Sequence, residues 1–468
     1  MTRQILILSV FSFFVWGCSN KTENQFNVSE VNKTAPLHSY QGDEYKVNFK
    51  AIYKTSDYKI EDILSASNAL EIQNRIISEI KGTTKFLFGP LTHRELGGQK
   101  LNYIITADWN LVVNGSSGIE IPYIYSGTWL VTKTIVGQSL KIELPLPFNT
   151  EVVFTEDWLK CTDTAPEHQT ESFYWYFWDP KRSGCDNKVN QHYQNILITL
   201  SDKTVNQLET FPEYSKLINS ASQKNNLQMT FAFGYVEDQE DANPDKDSDY
   251  GMLEYRKFIK FMNAQSKVLK LQKLDITQKE YLNANDPDKK IGYRYLGFKN
   301  GVKVDIKVIA AANIDQMDLF AQSYAHDHDG FFAWFGHSRV GSGFDANNFA
   351  NMLRWNPEYY TLHNDYQLVY WAGCNSYSYY TLPFFDQKAS LNKVTDPNGT
   401  KNLDIISNTL PSLFAFNAKN AIVAYSALIN WEIPTSFQTL IKTIEKNGDS
   451  YGFPVLVNVM GDEDNIKP

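Results

Sequence analysis

Four stretches in the first half of the chain alternate apolar and polar residues with the period of two that turns one face of a strand to a core. They are 46–53, 103–113, 119–131 and 140–146. Turn signals such as Asn114-Gly115 and Tyr125-Ser126-Gly127 punctuate them. One segment, 66–80, shifts to helical spacing, with Leu70, Ile72, Ile76, Ile77 and Ile80 on one side. The pattern predicts a β-rich, sandwich-like domain over 43–210 with a helix packed on it. From Leu227 the rhythm becomes strand and helix in turn. Strands are expected at 227–235, 267–274 and 421–428, with a hairpin at 293–310 turning at Asn300-Gly301. Helices are expected at 250–262, 315–324, 403–417 and 435–445. This alternation predicts an α/β domain over 225–468, with four to six mostly parallel strands and helices on both faces.

Two apolar runs in that second domain each stop at a reactive side chain. One reads Phe331-Phe332-Ala333-Trp334-Phe335 and then Gly336-His337-Ser338; the other reads Leu368-Val369-Tyr370-Trp371-Ala372 and then Gly373-Cys374-Asn375-Ser376. Short runs rich in aromatic and β-branched residues suit strands covered on both faces. Between them, 345–355 carries Phe349, Met352 and Leu353 at helical spacing. Strand, helix, strand implies a crossover with parallel strands, so both runs end at the same edge of the sheet. Open α/β sheets bind their ligands at that edge. An imidazole beside a thiol there suits nucleophilic catalysis, because the ring draws the proton from sulfur and returns it to a leaving group.

The strand-end motifs Phe335-Gly336-His337 and Ala372-Gly373-Cys374-Asn375-Ser376 resemble those of the caspase-like cysteine peptidases, a superfamily of gingipains, legumains, separases and caspases. The likeness spans about 225–450 and leans toward the bacterial gingipain branch through its Gly-His lead-in. It implies a His337/Cys374 dyad cutting amide bonds, with the backbone amides of Ser338 and Cys374 as oxyanion donors. The family usually carries Gly after the His; Ser338 keeps the amide but accepts fewer backbone angles. The segment 417–425 looks like the family's strand beyond the nucleophile, whose following loop lines the substrate pocket. Asn430, Trp431 and Glu432, with Tyr377, are the pocket candidates, and Glu432 would favour a basic side chain. The family's connection after the nucleophile corresponds to 375–402. Its aromatic half is expected beside Cys374, and 388–401 as an exposed, cleavable loop.

The N-terminus carries an address. Arg3, an apolar run over 5–16 and a small residue before Cys18 form a secretory signal peptide over 1–17, too short to span a bilayer. Val15-Trp16-Gly17-Cys18 resembles a bacterial lipobox, which implies acylation of Cys18, a membrane anchor and, with Ser19 next, an outer-membrane destination. Residues 18–42 read as a polar tether. A net charge of −9 with no basic block argues against nucleic acid. The four cysteines then divide: Cys18 to lipid, Cys161 with Cys185 as a disulfide persisting in an oxidising compartment, and Cys374 unpaired at the strand end.

Three weaker signals complete the list. The aromatic stretch 173–180 is expected to pack in the core near the disulfide, a glycan or peptide platform being the alternative. Asp245, Asp247 and Asp249 imitate the start of a calcium loop, but Tyr250 and Arg256 occupy positions an EF-hand gives to Gly and Glu. His326-Asp327-His328-Asp329 reads as a solvated turn rather than a metal site. No cofactor is implied. The expected function is an exported, lipid-anchored cysteine peptidase acting on peptide or protein; the alternative is a non-catalytic surface lipoprotein that binds a protein or glycan partner.

Overall fold

A computed structural model describes residues 39–462 and 465, apart from 101–102, 117, 134–139, 151–160, 163–173, 184, 186–191, 205–207, 221–223, 237–242, 281–285, 287, 313–314, 339–345, 381 and 451. The export signal, Cys18 and the tether up to 38 lie outside them.

The first sheet is curled and antiparallel. Its spine is β1 (Gly42–Thr55), paired along its full length with a strand that takes all of Gly118–Thr132. Chain order gives β2 (Gly97–Gln99), β3 (Ile104–Ala107), β4 (Val113–Gly115) and β5 (Gly118–Thr132), and the three short strands line up along the far side of β5. β6 (Lys141–Pro147) and β7 (Tyr193–Lys203) extend the other side, giving the order β2-β5-β1-β7-β6. No second sheet faces this one among the described residues, which corrects the sandwich expectation. The helix Ala69–Thr84 packs on the sheet, its Ile76 and Ile80 buried in one core cluster with Val47, Phe49 and Tyr125. Each such side chain contributes about 2 kcal/mol of hydrophobic stabilisation. Cys161 and Cys185 are disulfide-bonded, 24 residues apart. Tyr176, Phe177 and Trp178 are buried, Trp178 edge-on to Phe86 at 5.5 Å, so that part of the aromatic stretch is core.

The second sheet has eight strands. They are β8 (Asn226–Gly234), β9 (Gln272–Thr277), β10 (Lys290–Lys299), β11 (Val302–Ala311), β12 (Phe331–Phe335), β13 (Gln367–Trp371), β14 (Leu403–Asn408) and β15 (Val457–Met460). Their order is β15-β14-β13-β12-β8-β11-β10-β9. The five central strands, β11, β8, β12, β13 and β14, are parallel, and antiparallel strands close both flanks. Tyr250–Leu269, Asn417–Ile429 and Phe437–Asp449 cover one face; Gln316–Ala321, Ala346–Trp355 and Leu382–Leu391 cover the other. The chain is therefore α/β with a mixed sheet.

Two expectations are exchanged. The strand next to β13 is Leu403–Asn408, where a helix was expected, and the apolar run around 421–428 is helical, where a strand was expected. The helix Asn417–Ile429 packs against the Tyr250 and Phe437 helices and the sheet, so apolar residues surround it and hide its 3.6 period. The stretch 267–274 is also divided: the Tyr250 helix runs on to Leu269, and β9 starts only at Gln272.

The two sheets share contacts. Leu130 of β5 packs with Tyr377, Leu410 and Leu456. Ser39, Tyr40 and Gln41 are not tether: the Glu445 carboxylate accepts from Ser39 Oγ at 2.6 Å, Tyr40 N at 2.7 Å, Gln41 N at 3.1 Å and Val457 N at 2.9 Å. Glu445→Gln turns one acceptor oxygen into a donor facing two donors. The expected loss is about 2–4 kcal/mol, read as a lower urea midpoint at unchanged m-value. Among the described residues, no helix is long and apolar enough to cross a membrane.

Candidate functional site

β12 and β13 are parallel neighbours, paired from Phe331 with Leu368 to Trp334 with Trp371, so His337 and Cys374 leave the sheet at the same edge. The loops that carry them touch. Ala372 N donates to Trp334 O at 2.9 Å, and a Cβ on Gly373 would stand 3.3 Å from both Gly336 O and Ser338 N. Gly373 is thus the residue that lets the two strand ends close on each other. Ser338 is buried beside them, and Trp334 Nε1 fixes the loop by donating to His337 O at 2.8 Å.

The His337 ring is held on two sides. Its Nε2 lies 3.0 Å from Val236 O, and its face meets Phe414 edge-on at 5.2 Å. A carbonyl only accepts, so the neutral ring carries its proton on Nε2 and Nδ1 is its acceptor nitrogen. Val236 is itself anchored: its N–H donates to Asp249 Oδ2 at 2.9 Å, while Asp249 Oδ1 caps the Tyr250 helix through Met252 N at 3.1 Å. The acidic run is therefore helix-start architecture rather than a calcium loop. Asp247 Oδ1 accepts from Asp249 N, and Asp245 pairs with Lys290 at 3.0 Å. Gly251 seats this helix start against β8, since a Cβ there would fall 2.0 Å from Gly234 O.

Cys374 is 5% exposed, with Sγ 3.8 Å from Ser412 O. Its sulfur is disulfide-bonded, which corrects the expectation of an unpaired thiol. The loop that follows β14, with Ser412 and Phe414, is the segment that meets both reactive residues. The pocket candidates from the sequence lie elsewhere. Glu432 bonds Lys299 and Asn300, the Trp431 ring takes Lys299 Nζ at 4.2 Å, and Asn430 Nδ2 donates to Ser426 O. Lys299 and Asn300 sit at the hairpin entering β11, so these three residues occupy the opposite edge of the parallel sheet. Tyr377 is fully buried, donating to Glu44 Oε2 at 2.7 Å between the two sheets, and lines no open cleft.

The residue after Cys374 was not singled out by sequence. Asn375 is left-handed (φ 52°) and wholly buried. Its Nδ2 donates to Thr409 O at 2.7 Å and Thr92 Oγ1 at 3.2 Å, and its Oδ1 accepts from Tyr176 OH. Ser378 Oγ reaches Gln99 O at 2.6 Å, and Ser376 Oγ bridges Trp371 O and Asn408 N. Residues of the first sheet's half of the chain therefore hold the turn carrying Cys374. Asn375→Gly keeps the backbone angle and removes these bonds, whereas Asn375→Ala loses both. Unfolding in urea is expected to rank them wild type, Gly, Ala, with about 2–4 kcal/mol lost in the last.

The connection beyond is ordered. Leu382–Leu391 is a helix, and Lys388 inside it is buried, so the expected exposed loop shortens from 388–401 to the turns of 392–401, where Val394 is 92% exposed. Asp396 accepts from Thr400 N and Lys401 N, and Gly399 presses on Phe385 O. Tyr380, Phe384 and Phe385 join the core instead of a cleft wall. The turn at 326–329 is solvated only in part: His326 is exposed, but Asp329 is buried, accepting from Thr230 Oγ1 at 2.6 Å and Ser323 Oγ at 2.7 Å. No family model, no curated protein and no solved structure matches this chain.

Proposed function

We propose that this chain is an exported cysteine endopeptidase of caspase-like build, anchored to the membrane through an acylated Cys18, with His337 and Cys374 as its dyad. The observation that carries this reading is the contact between the two strand-end loops, which sets an oriented imidazole and a sulfur at the carboxyl edge of one parallel sheet. Cys18 is the one cysteine left to bond Cys374, so acylation of Cys18 and the disulfide at Cys374 exclude each other, and on the anchored chain Cys374 is a thiol. The thiolate then attacks the scissile carbonyl, and the amides of Ser338 and Cys374 receive the oxyanion. The imidazolium of His337 protonates the leaving amine, and the neutral ring next activates the water that releases the acyl group. Substrate would lie against the loop after β14, around Ser412 and Phe414. The test is cleavage of a fluorogenic peptide library with and without a phosphine reductant. Turnover by acylated protein, with or without the reductant, supports the reading; no cleavage by protein whose Cys374 is demonstrably reduced sinks it.

One observation favours a second reading. A Cys374 that is only 5% exposed suits a non-catalytic surface lipoprotein that uses the same edge to bind a protein or glycan partner. Mass spectrometry of the protein from its own membranes decides the anchor in either case, since an unmodified Ser19 start would remove it.

A further inference from the structure

The two strands that end at His337 and Cys374 begin at a different cluster. His328 lies three residues before β12, and His363 and Asp365 lie shortly before β13. One ligand atom from each of these three residues comes within 4.8 Å of the others. This is the one such group among the described residues, and it stands at the amino edge of the sheet, a strand length of about 17 Å from the candidate dyad.

Its hydrogen bonding is that of a prepared ligand set. His363 Nε2 lies 3.2 Å from Tyr324 O, a carbonyl also held by Gln367 Nε2 at 3.1 Å. The carbonyl assigns the ring proton to Nε2 and leaves Nδ1 as the ligating nitrogen, whose bond from Asp365 N at 3.2 Å an ion would replace. Nδ1 then also faces Asp365 Oδ2 at 3.3 Å, two acceptors with no proton of their own between them. A cation resolves that opposition. Outer partners of this kind, an imidazole N–H on a backbone carbonyl, fix the tautomer of metal-bound histidines. The loop is further pinned from behind, where Lys388 Nζ donates to His363 O at 2.8 Å and Asp365 O at 3.0 Å.

His328 is delivered by unusual backbone. A π-helical turn, Gln322–His326, ends just before it, and His328 itself is left-handed (φ 56°). Its ring stacks on His363 with centroids 3.8 Å apart and planes 18° from parallel. Parallel rings aim their lone pairs side by side, so both reach one ion only when His328 turns out of the stack about its side-chain bonds. With Zn–N bonds of about 2.0–2.1 Å, that rotation is the movement the site requires.

We propose that His328, His363 and Asp365 bind a divalent cation of the zinc class, two imidazoles and one carboxylate with water in the fourth position, as a clamp across the entries of β12 and β13. Two imidazoles select such an ion over calcium or magnesium. The test titrates ZnCl2 into the folded full chain carrying Cys18→Ala and Cys374→Ala, so that no thiolate competes and the outcome is independent of peptidase activity. Calorimetry gives stoichiometry and affinity, Co2+ absorption reports the coordination, and thermal unfolding reports the linkage. One ion per chain is expected, with a raised Tm. His363→Ala, Asp365→Asn and His328→Gln should each weaken binding at least 30-fold and abolish the rise in Tm. Should His363→Ala not fold, the two conservative variants carry the test. Absence of saturable binding, or unchanged affinity in any one folded variant, overturns the three-ligand site.

Discussion

Cys374→Ala is expected to lower kcat/KM for peptide cleavage by about 10^4-fold or more, because removing the nucleophile of a dyad leaves only binding and oxyanion contributions. His337→Ala removes the proton carrier but keeps the sulfur, so a smaller loss of about 10^2 to 10^4-fold is expected. Both are measured on reduced protein, with far-ultraviolet circular dichroism to confirm folding. The two variants separate further under alkylation. Wild type with an acylated Cys18 should lose activity to iodoacetamide without prior reduction, since no cysteine then remains to hold Cys374 in a disulfide. His337→Ala should alkylate more slowly near neutral pH, its thiol lacking the imidazole partner. Cleavage that persists in Cys374→Ala would move the chemistry elsewhere or end the peptidase reading.

Much of the frame was legible because the sequence repeats its cues. The alternation of β1 and β5, the hairpin at Asn300-Gly301 and the stripe of the Tyr250 helix each matched a single period. The runs before His337 and Cys374 were readable as doubly covered strands because all five residues of β12 and of β13 are buried. Leu403–Asn408 failed the same logic. It contains Asp404 and Ser407, which look like surface residues, yet every position is buried. Asp404 is satisfied from afar, by Tyr366 OH and by Asn465 Nδ2 at 2.6 Å, and no local pattern announces partners 38 and 61 residues away. That misreading carried the pocket with it, since Asn430 to Glu432 were chosen as the sequel of a strand that is in fact the Asn417 helix. Asn375 and the pairing of His328 with His363 escaped for a related reason. Each is defined by contacts across the fold, to Thr92 and Tyr176 in one case and to an unpatterned loop in the other.

Lys307→Met is expected to cost about 3–5 kcal/mol of folding stability, the cost typical of removing one partner from a buried ion pair. Lys307 Nζ sits in the sheet's interior with 6% exposure, bonded to Asp327 and 3.4 Å from Asp329, whose carboxylate has no exposure at all. Burial works against the ammonium, but Asp329 and Asp327 raise its pKa well above the ordinary value. Burial also works against Asp327, yet Lys307 and the surrounding donors hold it below 3.8. For the raised lysine, the stabilisation is complete below its unfolded pKa and disappears as pH rises through the folded one. For the depressed aspartate, it is complete above about 3.8 and disappears as pH falls through the folded value. Asp329, in turn, is pushed up by burial against the pull of Lys307, so in the wild type it adds stability as pH falls through its folded value. In Lys307→Met the two carboxylates lose their cation, so Asp329 rises further and Asp327 rises from its depressed value. The folded state then binds more protons, so the variant should gain more stability than the wild type as pH falls from 7 to 5. Urea unfolding at pH 5, 6 and 7 reads both effects. A variant of wild-type stability, or one losing stability over that interval, would mean that Lys307 is not the charge holding Asp327 and Asp329 in place.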